Sequence, residues 1–385
     1  MLDIDLCNCT LRSFRRYIRN TCFQKYVDTL YMPPKLSLTM PGLDPNKVRI
    51  DDFIRTLDPK IPRFEADQIP HASNIIFPPS AFGTGYISED GQYAVKIINL
   101  KQRIERTSIN YTVDNIIESL ESELINYYTI TQICPESFCK LVGYHYNILN
   151  TTLTIVMENC GTDLFDIYIT ESKPDKNTQI NHIGQIINIM LCLHENGFVH
   201  FDLKPDNIVL HGNTIKLIDA GSLVDTRSIG NIYVRGTRFF MAPELQGKTK
   251  IANSVDLLST DIYSLGVLFL FMIIPSGRFR EQLFKNMKQS MFSDNFNDSE
   301  NRIIKNWLKR VFGEAIEFKH FFGEPDERLT IQQLKSMYQQ THEQTYEQKR
   351  KLDKMTSGGR NTRKTHKRRL DRRRHQRKSK SKSNK

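Results

Sequence analysis

Short apolar blocks separated by polar turns predict several β-strands in this chain. Tyr93–Ile98 alternates between apolar and polar positions as a half-buried strand does, and Leu153–Met157 forms a second apolar run. Further along, Phe198–Val199 and Ile208–Leu210 flank a polar turn, and Thr214–Ile218 follows as another short strand. Polar side chains are therefore concentrated at a turn between two predicted strands and at the end of a third.

Two longer segments predict helices. The helical spacing of Asn115–Ile133 places Glu123 on the same side as Leu120 and Tyr127. The apolar run Leu265–Ile274 is shorter than the roughly 20 residues that are needed to span a bilayer. This run therefore predicts a buried core helix, and no membrane span is expected.

The composition is that of a folded protein with one large domain. The chain has 385 residues, of which 39% are apolar, so it can bury a substantial core but has no room for a second large domain. Its first ten residues include aspartates and no apolar run, so no secretory signal is predicted. The seven cysteines are odd in number and lack paired C-x-x-C spacing, which predicts neither zinc nor a disulfide framework and favours a reducing compartment.

The positive charge of the chain lies in its last residues. Lys349–Lys385 contains 18 of the 54 lysine and arginine residues and 2 of the 43 acidic ones, a net charge of +16 against −5 for the rest. With almost no large apolar residues, this tail is predicted to be disordered. A nuclear import signal, a contact with nucleic-acid phosphates, docking to acidic proteins and a merely solvated tail all stay open, although no aromatic residues are present to stack on single-stranded bases.

The polar turn and the end of the next strand carry the most informative residues. The turn reads His200-Phe201-Asp202-Leu203-Lys204-Pro205-Asp206-Asn207, and the later strand leads into Asp219-Ala220-Gly221. These motifs resemble the catalytic loop and the metal-binding loop of eukaryotic-type serine/threonine protein kinases. An isolated D-x-x-x-x-N is common in ordinary turns, but here the spacing and the flanking strands both agree with the resemblance.

The resemblance implies an α+β fold with two lobes, in which a small N-lobe has an antiparallel sheet with one helix and a larger C-lobe is mainly helical. The N-lobe is then expected over 75–160 and the C-lobe over 161–342. Residues 1–74 form an N-terminal extension of no assigned role, and the basic disordered tail occupies 343–385.

The chemistry of phosphoryl transfer explains why these residue types recur at this spacing. Catalysis depends on positioning the nucleophile and on neutralising charge at the phosphate oxygens, for which Mg²⁺ is the main agent. By resemblance, Asp202 accepts or orients the proton of the attacking hydroxyl, and Asn207 and Asp219 are ligands of the metal. Lys204 is similar to the lysine of serine/threonine kinases whose ammonium lies near the transferred phosphate.

Upstream, Lys96 on the first predicted strand resembles the lysine that binds the α- and β-phosphates of ATP. Such a lysine needs a carboxylate from the following helix, and Glu118, Glu121 and Glu123 compete for this role. Glu123 is favoured because it falls on the same side of the predicted helix as Leu120 and Tyr127. The alternative is that the Lys96 side chain only points into solvent, as lysines on strand faces usually do.

The segment before this strand is a partial match to a phosphate-covering glycine loop. Gly83 takes the position of the third glycine, Ser80 replaces the second, and Gly85 replaces the usual valine over the adenine. A plain hairpin is the alternative interpretation of the two glycines.

A hinge between the lobes is expected after the second predicted strand. By resemblance, Met157 is the gatekeeper, the backbone of Glu158 and Cys160 contacts adenine, and Asp163 bonds the ribose. Ordinary core packing would also explain Met157.

Further residues extend the resemblance downstream. Ala242–Glu244 is similar to the end of an activation segment, whose glutamate pairs with a buried arginine, here Arg328. Asp261 is expected to hold the backbone of the catalytic loop, and the Thr237 hydroxyl to bond the catalytic aspartate. Phe201 replaces the arginine that binds an activation-loop phosphate in many kinases, which predicts activity without phosphorylation of that loop.

The main functional hypothesis is an ATP- and Mg²⁺-dependent kinase acting on serine and threonine hydroxyls of protein substrates. The depleted glycine loop suggests an alternative, a pseudokinase scaffold that binds nucleotide without efficient transfer, and the tail suggests a nucleic-acid-associated binding protein. The tail and the Asn- and Ile-rich body also resemble kinases encoded by large nucleocytoplasmic DNA viruses. This resemblance implies the cytoplasm or nucleus of a host cell, or a virion, as the location, and the oligomeric state is open.

Overall fold

The structure, a computed structural model, describes residues 50, 53–55, 57, 60–80, 83–101, 114, 117, 120–147, 149, 151–169, 173–227, 232–234, 236–248, 250–251, 256–273 and 298–342. The predictions for residues 1–49 and for the basic tail lie outside these residues, as does Glu118. The described part confirms the two-lobed α+β fold.

The N-lobe sheet is antiparallel, with five strands in the order β1-β2-β3-β5-β4. The strands are β1 (Ala72–Ser80), β2 (Gly83–Ser88), β3 (Tyr93–Asn99), β4 (Leu141–Asn147) and β5 (Thr152–Glu158). In β3, neighbouring side chains point to opposite faces, so Lys96 and the buried Ile98 share one face while Val95 lies on the other.

The helix predicted over Asn115–Ile133 contains a wide turn. Residues 114, 117 and 120 are helical, a π-helical turn spans Glu121–Ile125, and α1 continues over Asn126–Ile133. Such turns hold one extra residue and are frequent at functional sites. Glu123 lies in this turn and is only 3% exposed, and a charged side chain buried to this degree has a partner.

The C-lobe is mainly helical. Its helices are α2 (Leu164–Ile169), α3 (Lys176–Glu195), α4 (Leu257–Ile273), α5 (Asp298–Phe312), α6 (Lys319–Phe322) and α7 (331–342). Asp175 caps α3 by accepting hydrogen bonds from the backbone N–H groups of Asn177 and Thr178. The predicted buried helix is α4, which is buried along almost its whole length. Among the described helices, none has the length and apolar character required to cross a membrane.

Short strands position the polar loops of the C-lobe. A three-stranded antiparallel sheet in the order β6-β8-β9 and two strand pairs, β7 with β10 and β11 with β12, are present. These strands are β6 (Thr162–Asp163), β7 (Phe198–Val199), β8 (Ile208–His211), β9 (Thr214–Leu217), β10 (Val224–Asp225), β11 (Ile232–Tyr233) and β12 (Lys250–Ile251). The predicted polar turn runs from β7 to β8, and Asp219 follows β9.

The N-lobe extends upstream of the boundary predicted at residue 75. Four apolar side chains before β1 are at most 4% exposed and belong to the main core cluster, namely Ile50, Ile54, Leu57 and Ile61. The Phe64 N–H donates to the Tyr144 oxygen (2.7 Å), and the Tyr144 N–H donates to the Pro62 oxygen (2.9 Å). Partners so far apart along the chain leave no local pattern that could reveal this packing.

The prediction that the chain has no disulfide framework is wrong. Disulfides join Cys134 to Cys192 and Cys139 to Cys160, at sequence separations of 58 and 21 residues. The Cys134–Cys192 bond connects the end of α1 with α3. The Cys139–Cys160 bond connects the segment just before β4 with the hinge after β5. Cysteine spacing could not show these bonds, because both pairs meet only through tertiary packing.

Candidate active site

The catalytic loop between β7 and β8 is held by one buried carboxylate. Asp261 on α4 accepts hydrogen bonds from the backbone N–H groups of His200 (2.7 Å) and Phe201 (3.0 Å), as the resemblance implies. His194 on α3 contacts the same carboxylate at 3.1 Å. Phe201 has a φ of +62°, which side-chain-bearing residues rarely adopt, so the turn depends on these bonds.

Asp202 lies in this turn with its carboxylate almost completely buried. Its Oδ1 accepts a hydrogen bond from the Thr237 backbone N–H (2.7 Å), and its Oδ2 lies 2.8 Å from the Lys204 Nζ. Burial alone would raise the pKa of Asp202, but the Lys204 ammonium and the hydrogen bonds outweigh it and hold the pKa below its usual range. Asp202 is therefore ionised at neutral pH, as an acceptor for a hydroxyl proton must be.

Lys204 connects the catalytic loop with the activation segment. Its Nζ donates to Asp202 Oδ2 and to the Thr237 hydroxyl, both at 2.8 Å. Burial would lower the pKa of Lys204, but the Asp202 carboxylate raises it above the usual lysine value, so the side chain is charged. The Thr237 hydroxyl accepts from Lys204, and a side-chain hydrogen bond between Thr237 and Asp202 also helps to lower the pKa of Asp202, as the resemblance implies.

Lys96 joins acidic residues from both lobes. Its Nζ lies 3.1 Å from Glu123 Oε2 and 3.3 Å from Asp219 Oδ2. Of the three glutamates that the sequence left open, Glu123 contacts Lys96, while Glu118 and the side chain of Glu121 lie outside what the structure describes. Burial would raise the pKa of Asp219, but Lys96 and the Gly221 N–H lower it below its usual value.

Gly221 leaves no space for a side chain beside this pair. A Cβ there would clash with Glu123 Oε1 and would lie 3.2 Å from Asp219 Oδ1. The Gly221 N–H also donates to Asp219 Oδ1 at 2.9 Å. The glycine of this motif therefore lets the Glu123 carboxylate approach the loop that carries Asp219.

Asn207 and Asp219 are the predicted ligands of a divalent cation. The Asn207 amide nitrogen donates to the Asp202 backbone oxygen (2.8 Å) and to Asp202 Oδ2 (3.2 Å), so its amide oxygen is the atom suited to a metal. Carboxylate and amide oxygens are ligands that Mg²⁺ prefers, with substrate phosphates completing its shell. The residue types at these two positions fit Mg²⁺ bound together with a nucleotide.

The predicted glycine loop lies where β1 passes into β2. Ser80 is paired with Gly83 across the two strands, and Gly85 lies opposite Lys96. Gly83 has a φ of +128°, and a Cβ there would clash with the backbone oxygen of Ile97. The geometry of the hairpin is therefore sufficient to explain Gly83.

The hinge begins at the end of β5. Met157 is buried there, and its sulfur lies 4.0 Å from the Tyr127 hydroxyl. The Glu158 N–H donates to the Lys140 oxygen at 2.9 Å. A contact between Glu158 and adenine would therefore have to use the Glu158 carbonyl oxygen.

The next two predicted nucleotide residues have structural partners. Cys160 is buried in a small cluster with its disulfide partner Cys139 and with Val209 and Ile218. The Asp163 Oδ1 accepts a hydrogen bond from the Asp166 N–H at 2.8 Å and so supports the first turn of α2. Packing and helix capping thus account for part of what these residues do.

A buried ion pair fixes the end of the activation segment. Arg328 Nη1 and Nη2 lie 2.6 and 3.0 Å from the two Glu244 oxygens. Arg328 also donates to the backbone oxygens of Gly323 and Ser259. This bidentate geometry is the one that the resemblance implies for the pair.

The sequence prediction lacks His194, which helps to hold Asp261. The residue belongs to no motif of the catalytic loop, which starts six positions later. A usable signal was its helical spacing, since Met190, Leu193 and His194 all lie on the buried side of α3.

Comparison with known proteins agrees with this geometry. The family model "Protein kinase domain" matches residues 84–339. Serine/threonine-protein kinase KSP1 of Saccharomyces cerevisiae is 28% identical over 179 residues, which is 42% of this chain and 17% of the yeast protein. R436 of Acanthamoeba polyphaga mimivirus, described as "Putative serine/threonine-protein kinase", is 30% identical over 178 residues, 45% of this chain and 57% of the viral protein.

MAP kinase kinase skh1/pek1 of Schizosaccharomyces pombe is 29% identical over 184 residues, which is 44% of this chain and 48% of that protein. The chain therefore spans less than two thirds of the length of each of these relatives.

Proposed function

Because the chain belongs to the protein kinase family, we propose that it transfers the γ-phosphoryl group of ATP to serine or threonine hydroxyls of protein substrates. The observation that carries this proposal is the set of contacts from Lys96 to Glu123 and Asp219, next to the buried Asp202–Lys204 pair. Serine and threonine are favoured over tyrosine, because tyrosine kinases usually lack a lysine at the position of Lys204.

Each charged residue has a defined task in this transfer. The substrate hydroxyl oxygen forms a bond to the γ-phosphorus of ATP, the bond to the β–γ bridging oxygen breaks, and ADP leaves. Asp202 accepts the hydroxyl proton, since its carboxylate is ionised and held in place by Thr237 and Lys204. The Lys204 ammonium neutralises charge on the transferred group, and Lys96 binds the α- and β-phosphates.

The cofactor and the nucleotide subsites are part of the same proposal. Asn207 and Asp219 would hold Mg²⁺, which neutralises phosphate charge when it is bound. Lys96 keeps Asp219 ionised and so able to bind a cation. By resemblance, the backbone of Glu158 and Cys160 would contact adenine and Asp163 the ribose.

The test is transfer from γ-labelled ATP to generic basic and acidic peptides that contain serine and threonine. We expect Asp202→Asn to lower kcat by about 100-fold or more while nucleotide binding persists. Asp225→Asn is the matched control, because the Asp225 carboxylate pairs with the exposed Arg227 side chain. Transfer that persists in Asp202→Asn, or that is absent from the wild type, would contradict the proposal.

A pseudokinase scaffold is the second candidate, and the glycine loop favours it. Gly83 is explained by hairpin geometry, and Ser80 stands where the kinases that the chain resembles have another glycine. Nucleotide binding without transfer in the wild type would support this candidate. Binding of nucleic acid that falls steeply with salt would instead support the third candidate, a nucleic-acid-associated protein.

The location in the cell and the partner of the basic tail are further proposals. We propose the cytoplasm or nucleus of a host cell, or a virion, with the similarity to a mimivirus protein as support. The +16 tail suits nucleic acid or an acidic protein as partner. Microscopy of the tagged chain with and without Lys349–Lys385 tests whether the tail sets the location, and an unchanged distribution would show that it does not.

A further inference from the structure

A buried segment precedes the part of the chain that matches the family model. The described residues 50, 53–55 and 57 are helical, and the match begins only at residue 84. We call the described residues between 50 and 64 the clamp segment. Its buried apolar side chains are Ile50, Ile54, Leu57 and Ile61, with exposed fractions of 4% or less.

The clamp segment extends the edge of the N-lobe sheet. Arg63 pairs with Tyr144 in parallel orientation, so the segment lies beside β4, the last strand of the sheet. Hydrogen bonds link Tyr144 to Pro62 and Phe64, and His145 Nδ1 lies 2.9 Å from the Phe64 oxygen. The backbone of β4 lies close to the clamp segment, because a Cβ on Gly143 would lie 2.6 Å from the Pro62 oxygen.

The sheet register places part of the clamp segment on the face that carries Glu123. Lys96 lies opposite Ile155, and Ile155 lies opposite Tyr144. Residues directly opposite each other in antiparallel strands point to the same face, so Tyr144 shares the face of Lys96, which contacts Glu123. The Tyr144 hydroxyl lies 3.4 Å from the Ile54 backbone oxygen on that face.

The clamp segment and the Glu123 helix share one core. Ile54, Leu57 and Ile61 belong to the main apolar cluster, which extends through both lobes and includes Leu120 and Leu124 beside Glu123. The turn that carries Glu123 is π-helical, so the regular helical hydrogen-bond pattern does not by itself fix its position. Side-chain packing on the sheet face that carries Lys96 and Tyr144 therefore helps to set its position.

We propose that the clamp segment positions the helix that carries Glu123 and so maintains the Lys96–Glu123 pair. Ile54, Leu57 and Ile61 are positioning residues, because they act on Lys96 only through the helix. This inference rests on the proposed kinase function, and it assigns the regulation of that site to a segment outside the family match. Release of the segment would weaken Lys96 as a phosphate ligand.

The test compares two buried leucines in the full chain. Leu57→Ala removes clamp packing, and Leu334→Ala removes an equally buried leucine of the same apolar cluster, but in α7 of the C-lobe. We expect Leu57→Ala to lower kcat/KM for ATP about tenfold or more, and Leu334→Ala to change it less than about twofold, with thermal melts showing that both variants fold. If Leu57→Ala does not fold, Ile54→Val, which removes one methylene group, is measured instead.

A double-mutant cycle separates positioning from general stability. In a Glu123→Gln background the pair is already weakened, so Leu57→Ala should cause little further loss of kcat/KM, whereas independent effects would multiply. Hydrogen exchange should be faster at the amides of Leu120–Tyr127 in Leu57→Ala and unchanged there in Leu334→Ala. The inference would be overturned if Leu57→Ala and Glu123→Gln reduced kcat/KM by independent factors. It would also be overturned if the amides of Leu120–Tyr127 exchanged equally fast in Leu57→Ala and Leu334→Ala. Because exchange is read without activity, a wild type that transfers no phosphate would refute the proposed function and leave this test valid.

Discussion

At the scale of single residues, the site consists of buried charges that stabilise one another. Asp202 is almost fully buried and Lys204 largely so, and each holds the other in its charged form. Removing one partner of a buried pair leaves an unpaired charge, which costs several kcal/mol or shifts the pKa of the remaining group. The Asp202–Lys204 contact therefore sets the protonation of the proposed base.

The pH dependence of Lys204→Met tests this coupling. The folded-state pKa of Asp202 is depressed, so Asp202 contributes stability above the ordinary aspartate pKa of about 3.9, and this contribution is lost as pH falls through the folded pKa. Without Lys204, burial raises the pKa of Asp202. We expect kcat to fall about 100-fold at pH 7 and the acid limb of the kcat–pH profile to move to higher pH.

The control for this prediction is Lys309→Met. Lys309 pairs with the exposed Glu314 at the surface of α5, so removing its charge changes the net charge of the chain equally without touching Asp202. A Lys204→Met profile that keeps the acid limb of the wild type would show that Lys204 does not control the ionisation of Asp202.

At the scale of elements, apolar packing anchors the activation segment. Phe201 is buried in a small cluster with residues from both sides of that segment, namely Val199, Leu245, Ile251 and Leu257. Thr226 donates from both its backbone N–H and its hydroxyl to the Gly197 oxygen (2.8 and 2.9 Å), which pins β10 to β7. Apolar packing and hydrogen bonds to the backbone therefore hold the described part of the segment.

Activity should therefore not require phosphorylation of the activation loop. The prediction compares phosphatase-treated wild type with the triple variant Thr226→Ala, Ser228→Ala, Tyr233→Phe, in which Ser228 lies outside the described residues. Both should keep kcat/KM within about tenfold of the untreated enzyme, which corresponds to roughly 1.4 kcal/mol of transition-state stabilisation. Mass spectrometry confirms the phosphorylation state, heat-inactivated phosphatase is the control, and a larger loss in either sample would refute the prediction.

At the scale of the whole molecule, local patterns predicted the site better than its surroundings. Asp202 and Asn207 lie in the turn between β7 and β8, and Asp219 follows β9, so spacing and alternation along neighbouring strands suffice to bring them together. Glu123 could be selected by helical geometry because only its own helix had to be known. Contacts between distant segments had no such signal, as the pairing of Cys134 with Cys192 shows. The clamp segment was missed for the same reason, since its partner Tyr144 lies on a strand much later in the chain.

The Cys134–Cys192 disulfide gives the last prediction, because it ties the end of the N-lobe helix to α3 of the C-lobe. A bond that closes a loop of this length restricts the unfolded chain, which corresponds to about 4 kcal/mol of stability in the loop-entropy model. We expect Cys192→Ser to lower the free energy of unfolding by about this amount under oxidising conditions. Cys192 is only partly buried, so the serine itself should cost little.

The cysteine spacing predicted a reducing compartment, so the unfolding experiment is repeated in reducing buffer. When both proteins are measured in reducing buffer, the wild type should have the same free energy of unfolding as Cys192→Ser. Their denaturant unfolding curves should then coincide. Cys139→Ser, which breaks only the second bond, is the control for an unspecific effect of losing a cysteine, and it should leave a Cys134–Cys192 cross-linked peptide detectable by mass spectrometry. Equal unfolding free energies of wild type and Cys192→Ser without reductant would show that this bond does not hold the lobes together.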